Sequence, residues 1–394
     1  MFLILNLKIL SLYSTNILVK QHEIMTTNYQ DKELLNQTAK KLASLDSQKN
    51  VLIGFDAFID EIIHMVDKRY DENSFDRIPT IEAFGKRIIN ASGMSTNIEM
   101  VPKTIKLGGN GALNAMALIE QSHKITFIGN LGYPNISDVF KDLADKCERV
   151  ISVTDPGHTH AVEFDDGKIL LGKLYSLPDV NWKNILKHID HNELKNILKS
   201  TNLLSVNNWT MISHMNGIIN GLFSIIEGLD NKPGMFIDLA DPQKRTEKDI
   251  KEILNILSYI GKKIDVIFSM NKKESIDMAE IIGIVENDTI ERAQKMREKL
   301  GVSHLVIHPL QGAAVATKDW VGYVAGPYTA KPKLTTGAGD NFNAGFCSGY
   351  LQGFTPEECL VLGVNTSGYY VRNATSPDKK QLIDFMLERS KKIS

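Results

Sequence analysis

The chain is expected to fold as an α/β protein, with a central, mostly parallel sheet flanked by helices and a small β lid beside it. Three observations lead there. Short apolar runs of strand length recur along the chain, helical patterns separate them, and one long stretch is polar and irregular. Runs that are apolar throughout and alternate with helices mark strands buried on both faces, as in a parallel sheet.

The strand runs lie at 51–55, 125–128, 203–206, 235–239, 266–269 and 305–308. Amphipathic helical patterns occupy 112–120, 212–227, 248–260 and 289–300, and a further helix is expected over 32–45, ahead of the first strand. Residues 67–105 break the pattern. So do 161–164 and 169–171, which flank Asp165-Asp166-Gly167-Lys168, a strong hairpin signal. Both regions are assigned to the lid, in segments near 58–107 and 158–175. A last hairpin, 313–317 with 322–325, is expected to extend the sheet edge. With no repeat and no low-complexity linker, residues 25–394 are expected to form one domain carrying that lid.

Residues 1–24 are set apart. They are apolar but interrupted by Asn6, Lys8, Ser11 and Tyr13, and the uninterrupted stretch is too short for a membrane span. No charged segment precedes the apolar part and no A-x-A-like site follows it. They are read as a leader, either a mis-called start with Met25 as initiator or a disordered tail; a signal or anchor is the alternative.

Composition bounds the function. The 394 residues are 43% apolar and 23% charged, an ordinary globular balance. The net charge of −2, from 45 basic and 47 acidic residues, argues against a nucleic-acid partner. Cys147, Cys347 and Cys359 are an odd, scattered set. They give neither a disulfide framework nor a CxxC metal pattern, so a reducing, cytoplasmic setting is expected.

Ligands on parallel sheets bind at the carboxyl ends of the strands, so motifs that follow strands matter most. Thr335-Thr336-Gly337-Ala338-Gly339-Asp340 leads into a helix with small residues at Ala344, Gly345 and Gly349. Glycines ahead of a helix let several N–H groups point at one spot, an anion site, with the Asp340 carboxylate facing it. That suits a base that takes a proton from an attacking hydroxyl. A glycine turn with Asp340 as a plain N-cap fits the same hexapeptide.

Gly108-Gly109-Asn110-Gly111-Ala112-Leu113-Asn114 opens another helix. It is neither a Walker A loop nor GxGxxG. Asn110 and Asn114 share a helix face and suit a polyhydroxyl ligand, although a packing turn with an Asn cap is also consistent. Asn271-Lys272-Lys273-Glu274 follows a strand; its amide and carboxylate suit Mg²⁺ or its waters, or else form a simple capping box.

In this order on a parallel α/β background, the three motifs identify a resemblance to the ribokinase-like (PfkB) carbohydrate kinase family, spanning roughly residues 51–377. The resemblance implies a sugar kinase with ATP as co-substrate and Mg²⁺ as cofactor. It puts Asp340 at the catalytic base and Gly337, Ala338 and Gly339 at its anion hole. Gly108, Gly109, Asn110 and Asn114 would hold the sugar. Asn271 and Thr336 would contact the nucleotide, with Asn365 and Asn373 on the adenine side. Glu274 would meet the metal through water. The first strand ends Gly54-Phe55-Asp56-Ala57-Phe58-Ile59-Asp60, where relatives place a sugar-binding aspartate; Asp60 is the closer match and Asp56 a second candidate. Asp241-Pro242-Gln243-Lys244-Arg245 resembles a further motif, with Gln243 in place of Asn. Leu334 stands where many relatives carry an aspartate for a monovalent cation, which speaks against that cation site. The partners implied are a small sugar and a nucleotide, with no nucleic acid and no membrane, and a homodimer is compatible.

Alternatives stay open within the sequence: an ADP-dependent donor, a nucleoside acceptor, or a sensor without catalysis. His158 and His160 are read as lid or surface residues, Asn207-Asn208-Trp209 as a loop that either touches the ligand or simply holds a half-buried Trp, and Arg389 as part of a solvated helix end.

Overall fold

The structure is a computed structural model and describes residues 31–45 and 47–393. The leader assigned to 1–24 lies outside these residues. A first helix covers 31–44. The strands follow in chain order: β1 (Asn50–Gly54), β2 (Phe58–Arg69), β3 (Phe75–Arg77), β4 (Met100–Gly108), β5 (Lys124–Gly129), β6 (Arg149–Ser152), β7 (Gly157–Glu163), β8 (Lys168–Lys173), β9 (Leu203–Val206), β10 (Gly234–Asp238), β11 (Val266–Asn271), β12 (His304–His308), β13 (Gly312–Ala316) and β14 (Val321–Ala325).

Nine strands form the main sheet in the order β14-β13-β12-β11-β10-β9-β1-β5-β6. Every pairing from β12 through β6 is parallel, and β13 and β14 add an antiparallel hairpin at one edge. All six expected strand runs therefore lie side by side in one parallel block. The alternation of side chains explains why those runs are apolar throughout. Leu52, Met235, Ile237, Phe268 and Ile307 enter one core; Val51, Ile53, Phe236, Ile267 and Val306 enter the other, on the opposite face. Helices cover both faces, so neither set of side chains meets water. Among the described residues no helix is long and apolar enough to cross a membrane.

The smaller sheet runs β3-β2-β7-β8, with β4 also on β2. The expected hairpin is present as β7 and β8, with Glu163 opposite Lys168. Residues 67–105 are more regular than expected. β2 continues to Arg69, and a helix, Ile81–Asn90, lies within the segment, capped by Thr80, whose Oγ1 accepts the Ala83 N–H at 3.0 Å. Ile81, Phe84 and Ile88 fall on helical spacing, and Phe84 rests on Phe164 and the small cluster of Met65, Ile78 and Val162. Arg389, expected in solvent, instead donates to the Ala325 carbonyl and to Asn365, because the last helix, Lys379–Lys392, folds back over the β14 edge.

The sheets join where β1 hands over to β2. There the side chain of Asn130 clamps Ala57 twice, accepting its N–H at 2.7 Å and donating to its carbonyl at 3.1 Å. Two helices reach this junction, Asn110–Glu120 and Ala338–Leu351, and they are latched at their far ends by His123, whose Nε2 lies 2.9 Å from Ser348 Oγ. Burial pushes the His123 ring down to about 4, so it is neutral in the folded protein.

An unfolded His123 takes up a proton below its usual value of 6.5, whereas the folded one resists until about 4. Stability is therefore fully present above pH 6.5 and is lost as pH falls toward 4. The loss is on the order of 3 kcal/mol for this residue. Urea titrations between these pH values show a shallower pH slope for His123→Gln than for the native protein.

Candidate active site

Four buried carboxylates gather at the carboxyl edge of the parallel block. Asp56 follows β1, Asp238 ends β10, Glu274 opens the helix after β11, and Asp340 lies in the first turn of Ala338–Leu351. Each is held by a different set of donors, and that decides its chemistry.

Asp340 is 5% exposed. Its Oδ1 accepts from the side-chain amide of Asn110 at 2.9 Å, which joins the two glycine motifs across 230 residues of sequence. Gly337 precedes the helix with φ +89°, and a Cβ there would come within 2.7 Å of the Tyr370 hydroxyl. Only glycine fits both constraints. The Tyr370 hydroxyl donates to the Thr336 carbonyl at 2.8 Å and pins the loop from behind. The helix's first turn leaves the Gly339 and Asp340 N–H groups without helical partners, the kind of donors an anion would take. Burial, and then the negative charge of Asp238, raise the Asp340 carboxyl well above its usual range.

Asp56 is fully buried, and its oxygens are already used. They accept the N–H groups of Asn110 (2.9 Å) and Gly111 (2.8 Å) and the side-chain amide of Asn208 (2.8 Å). It caps the helix Asn110–Glu120 from a neighbouring loop, where Gly109 at φ +93° turns the chain. Burial still pushes it up to about 6. With its oxygens engaged in this way, Asp56 holds the loop in place. Asp60, the other candidate, lies on β2 opposite Thr159 of β7 and over Gly108, where a Cβ would collide with the Asp60 carboxylate. Tyr370 registers both charges: after burial, Asp340 and then Asp60 push its hydroxyl up to about 12. Residues 60, 110 and 340 thus converge, as the motifs required.

Asn114 is fully buried; its amide donates weakly to Asn207 at 3.4 Å, and its Oδ1 has no partner among the described residues. Trp209, expected either near the ligand or half-buried in its loop, is fully buried with Arg245 over its ring. Arg245 donates to the Thr210 carbonyl and stays out of the site.

Asn271 and Glu274 form a capping box. Glu274 accepts the N–H groups of Asn271 and Asp241, each at 2.9 Å, so both its oxygens are engaged. Asp238 was not singled out in the sequence, although its place at a strand end was legible. It is held by the Ala240 N–H and the Asn343 amide, and burial together with the Glu274 charge pushes it up to about 7.

Beside this cluster opens a cavity of about 370 Å³. Asn271, Thr335 and Gly339 line it together with the apolar Leu310, Pro327, Tyr328, Val364 and Val371. Thr336 does not line it, although its neighbour Thr335 does. Asn365 and Asn373 do not line it. Asn365 is buried between Val361 and Arg389, and Asn373 is exposed and donates to the Tyr369 carbonyl. Both lie on the helix Pro356–Asn373, but Ser367, Gly368 and Val371 form the face turned to the cavity. Asn365 and Asn373 each lie two residues, about half a helical turn, from Ser367 and Val371, and so point away from the cavity.

The profile of the prokaryotic ketohexokinase family matches residues 29–388. The ketohexokinase of Haloferax volcanii is 26% identical over 339 residues, 85% of this chain and 90% of that protein. The nucleoside kinase of Methanocaldococcus jannaschii is 27% identical over 123 residues, 31% of this chain and 38% of its own. Among solved structures, Arabidopsis thaliana ribokinase complexed with ribose and ATP aligns with TM-score 0.60 at 18% identity, over 86% of this chain and 99% of that one. Escherichia coli phosphofructokinase-2, in complex with substrates and products, aligns with TM-score 0.61 at 14% identity, over 87% and 99%. The structural likeness establishes the ribokinase fold, and the match along almost the whole chain establishes the family. The chain belongs to the prokaryotic ketohexokinase family and is a sugar kinase, a phosphotransferase with an alcohol group as acceptor.

Proposed function

We propose that the protein transfers the γ-phosphoryl group of ATP to a hydroxyl of a ketohexose, with Asp340 as the general base. One observation carries this: the Asp340 carboxylate opens a helix between the cavity and the Asp60 side of the site, held there by Asn110. The ketohexose follows the name of the family and of the Haloferax volcanii relative.

The sugar hydroxyls are taken by Asp60, whose carboxylate accepts charge-assisted hydrogen bonds, and by the unpartnered Asn114 Oδ1. The adenine lies against the apolar residues of the cavity, and the phosphates reach Gly337–Gly339. Asp340 takes the proton of the attacking hydroxyl as its oxygen approaches phosphorus in line with the leaving ADP oxygen. The N–H groups of Gly339 and Asp340 hold the charge of the transferring group. A buried carboxyl beside another negative charge is a better base than an exposed one, because its proton affinity is raised. The smaller sheet, carrying Asp60, covers the sugar and excludes water that would otherwise hydrolyse the donor.

Magnesium is implied by this chemistry. Among the described residues no three His, Cys, Asp or Glu side chains make a ready metal site. The hard oxygens of Glu274 and Asp238 fit a cation that arrives on the phosphates, and Glu274, with both oxygens engaged, would act through water. When bound, the cation neutralises phosphate charge. Leu334 offers no ligand for a monovalent cation, so turnover is expected without potassium.

Asp340→Asn lowers kcat by about 10²–10⁴-fold while leaving the sugar dissociation constant near its native value, measured by a coupled assay and calorimetry. An unchanged rate sinks the mechanism. The same assay over fructose, other sugars and nucleosides, with ATP and ADP in parallel, tests acceptor and donor; turnover only with ADP or only on nucleosides overturns the proposal.

The base must be ionised, so kcat/KM rises with pH through the raised Asp340 titration, and its acid limb lies above the usual carboxylate range. Asp238→Asn removes the neighbouring negative charge and moves that limb to lower pH. A limb that stays put shows that Asp238 does not set the basicity.

A further inference from the structure

Asn341 follows Asp340 in the first turn of the helix Ala338–Leu351 and is fully buried. Its side-chain amide donates to the Gly337 carbonyl at 2.9 Å, and its backbone N–H reaches the same carbonyl at 3.0 Å. Its Oδ1 accepts the hydroxyl of Ser376 at 2.8 Å. Ser376 lies in the connection between the helix Pro356–Asn373 and the last helix, which Ala374 opens in a left-handed conformation at φ +59°. The Ser376 bond decides which end of the amide meets Gly337: with the oxygen taken, the nitrogen is left for the carbonyl. Three consecutive carbonyls of the turn are thus each engaged, Thr335 by the Ala338 N–H at 3.1 Å, Thr336 by the Tyr370 hydroxyl at 2.8 Å and Gly337 by Asn341. The Gly337–Ala338 peptide is held at both its polar atoms. It needs this hold, because the freedom that lets Gly337 take φ +89° also lets that peptide rotate. The turn that presents the Gly339 and Asp340 N–H groups starts from it. An apolar side chain of the same shape would pack here at little cost, so the distinct contribution of the amide is its grip on the turn.

We propose that Asn341 and Ser376 are positioning residues for phosphoryl transfer: together they fix the Gly337–Ala338 peptide, and with it the direction in which the Gly339 and Asp340 N–H groups meet the transferring charge. Neither residue touches the reacting atoms. Ser376 acts through Asn341 from a connection 35 residues further along the chain. The N–H groups matter most where charge develops, in the transition state, so loosening them lowers kcat and leaves KM in place. A packing role for the same pair lowers the melting temperature at an unchanged kcat.

This inference rests on reading the Gly337–Gly339 turn as the holder of the transferring group, and ADP with aluminium fluoride, a stand-in for that group in flight, separates the two. In calorimetry with fructose and magnesium ions present, the native protein binds ADP more tightly once aluminium fluoride is added. Asn341→Ala and Ser376→Ala bind ADP alone as the native protein does and lose about 3- to 10-fold of that gain, the contribution of one neutral hydrogen bond. Their kcat falls by a similar factor, with KM for sugar and ATP unchanged. The double variant loses no more than Asn341→Ala, because both residues act through one amide. Ser376→Thr, which keeps the hydroxyl, recovers part of the rate lost in Ser376→Ala. A native kcat and a native gain in both alanine variants overturn the proposal. So does an equal loss of affinity for ADP alone, which marks a general loosening of the site. No tightening by aluminium fluoride in the native protein overturns the reading of the turn, and the proposal with it.

Discussion

The hydrogen bond from Asn110 to Asp340 is the constraint on which the rest of the site depends. It joins the first turns of two helices that come from opposite ends of the chain. One follows the smaller sheet, because β4 ends at Gly108 and the helix begins at Asn110. The other follows the final loop. In the proposed mechanism a sugar held by the smaller sheet and a phosphate held by the helix Ala338–Leu351 meet only if those two turns are in register. Asp56 fixes the first by capping it from β1, and Tyr370 fixes the second by holding Thr336. His123 and Ser348 repeat the connection at the other end of the same two helices, so they are tied at both ends.

The electrostatics follow from that geometry. Four carboxylates lie within one buried region, where like charges disfavour ionisation. Three are quenched by donors: Asp56 by two backbone N–H groups and Asn208, Glu274 by two backbone N–H groups, and Asp238 by Ala240 and Asn343. Asp340 accepts only the Asn110 side chain from another residue and bears the repulsion of Asp238. The least compensated carboxylate is thus the one beside the Gly337–Gly339 turn. Hydrogen bonding sorts four chemically similar acids into three with two or more donors and one with a single donor from another residue, which is why the proposed mechanism gives Asp340 the part of the base.

Much of this was legible in the sequence, for identifiable reasons. The parallel block was readable because strands covered on both faces must be apolar at every position. The glycine motifs were readable because Gly109 and Gly337 occupy backbone conformations that other residues resist. What escaped depends on long-range contact. Nothing local distinguishes Asp56 from Asp60; the difference is that Gly111 and Asn208 reach Asp56 from elsewhere. Asn365 and Ser367 sit on one helix, and only the packing of Arg389 decides which faces the cavity. The helix Ile81–Asn90 was masked by its polar setting, since its apolar residues cover a small satellite core and not the main one.

The same burial that tunes the site also works against the fold. Each buried acid and the unpartnered nitrogen of His308 oppose folding, and a sequence under selection for stability alone would replace them with apolar side chains. The two large cores on either side of the sheet offset this. They are extensive enough that a polar cluster at one edge is tolerated, provided each carboxylate meets at least one donor. Unpaired buried atoms remain at Asn114 and His308 and also at Thr38, His123, His160, Thr210 and Arg297 among the described residues, so an unpaired atom by itself does not outline a ligand. What sets Asn114 apart is its place on the helix whose first turn holds Asp340, and on the proposed reading its free oxygen is the one a sugar hydroxyl completes.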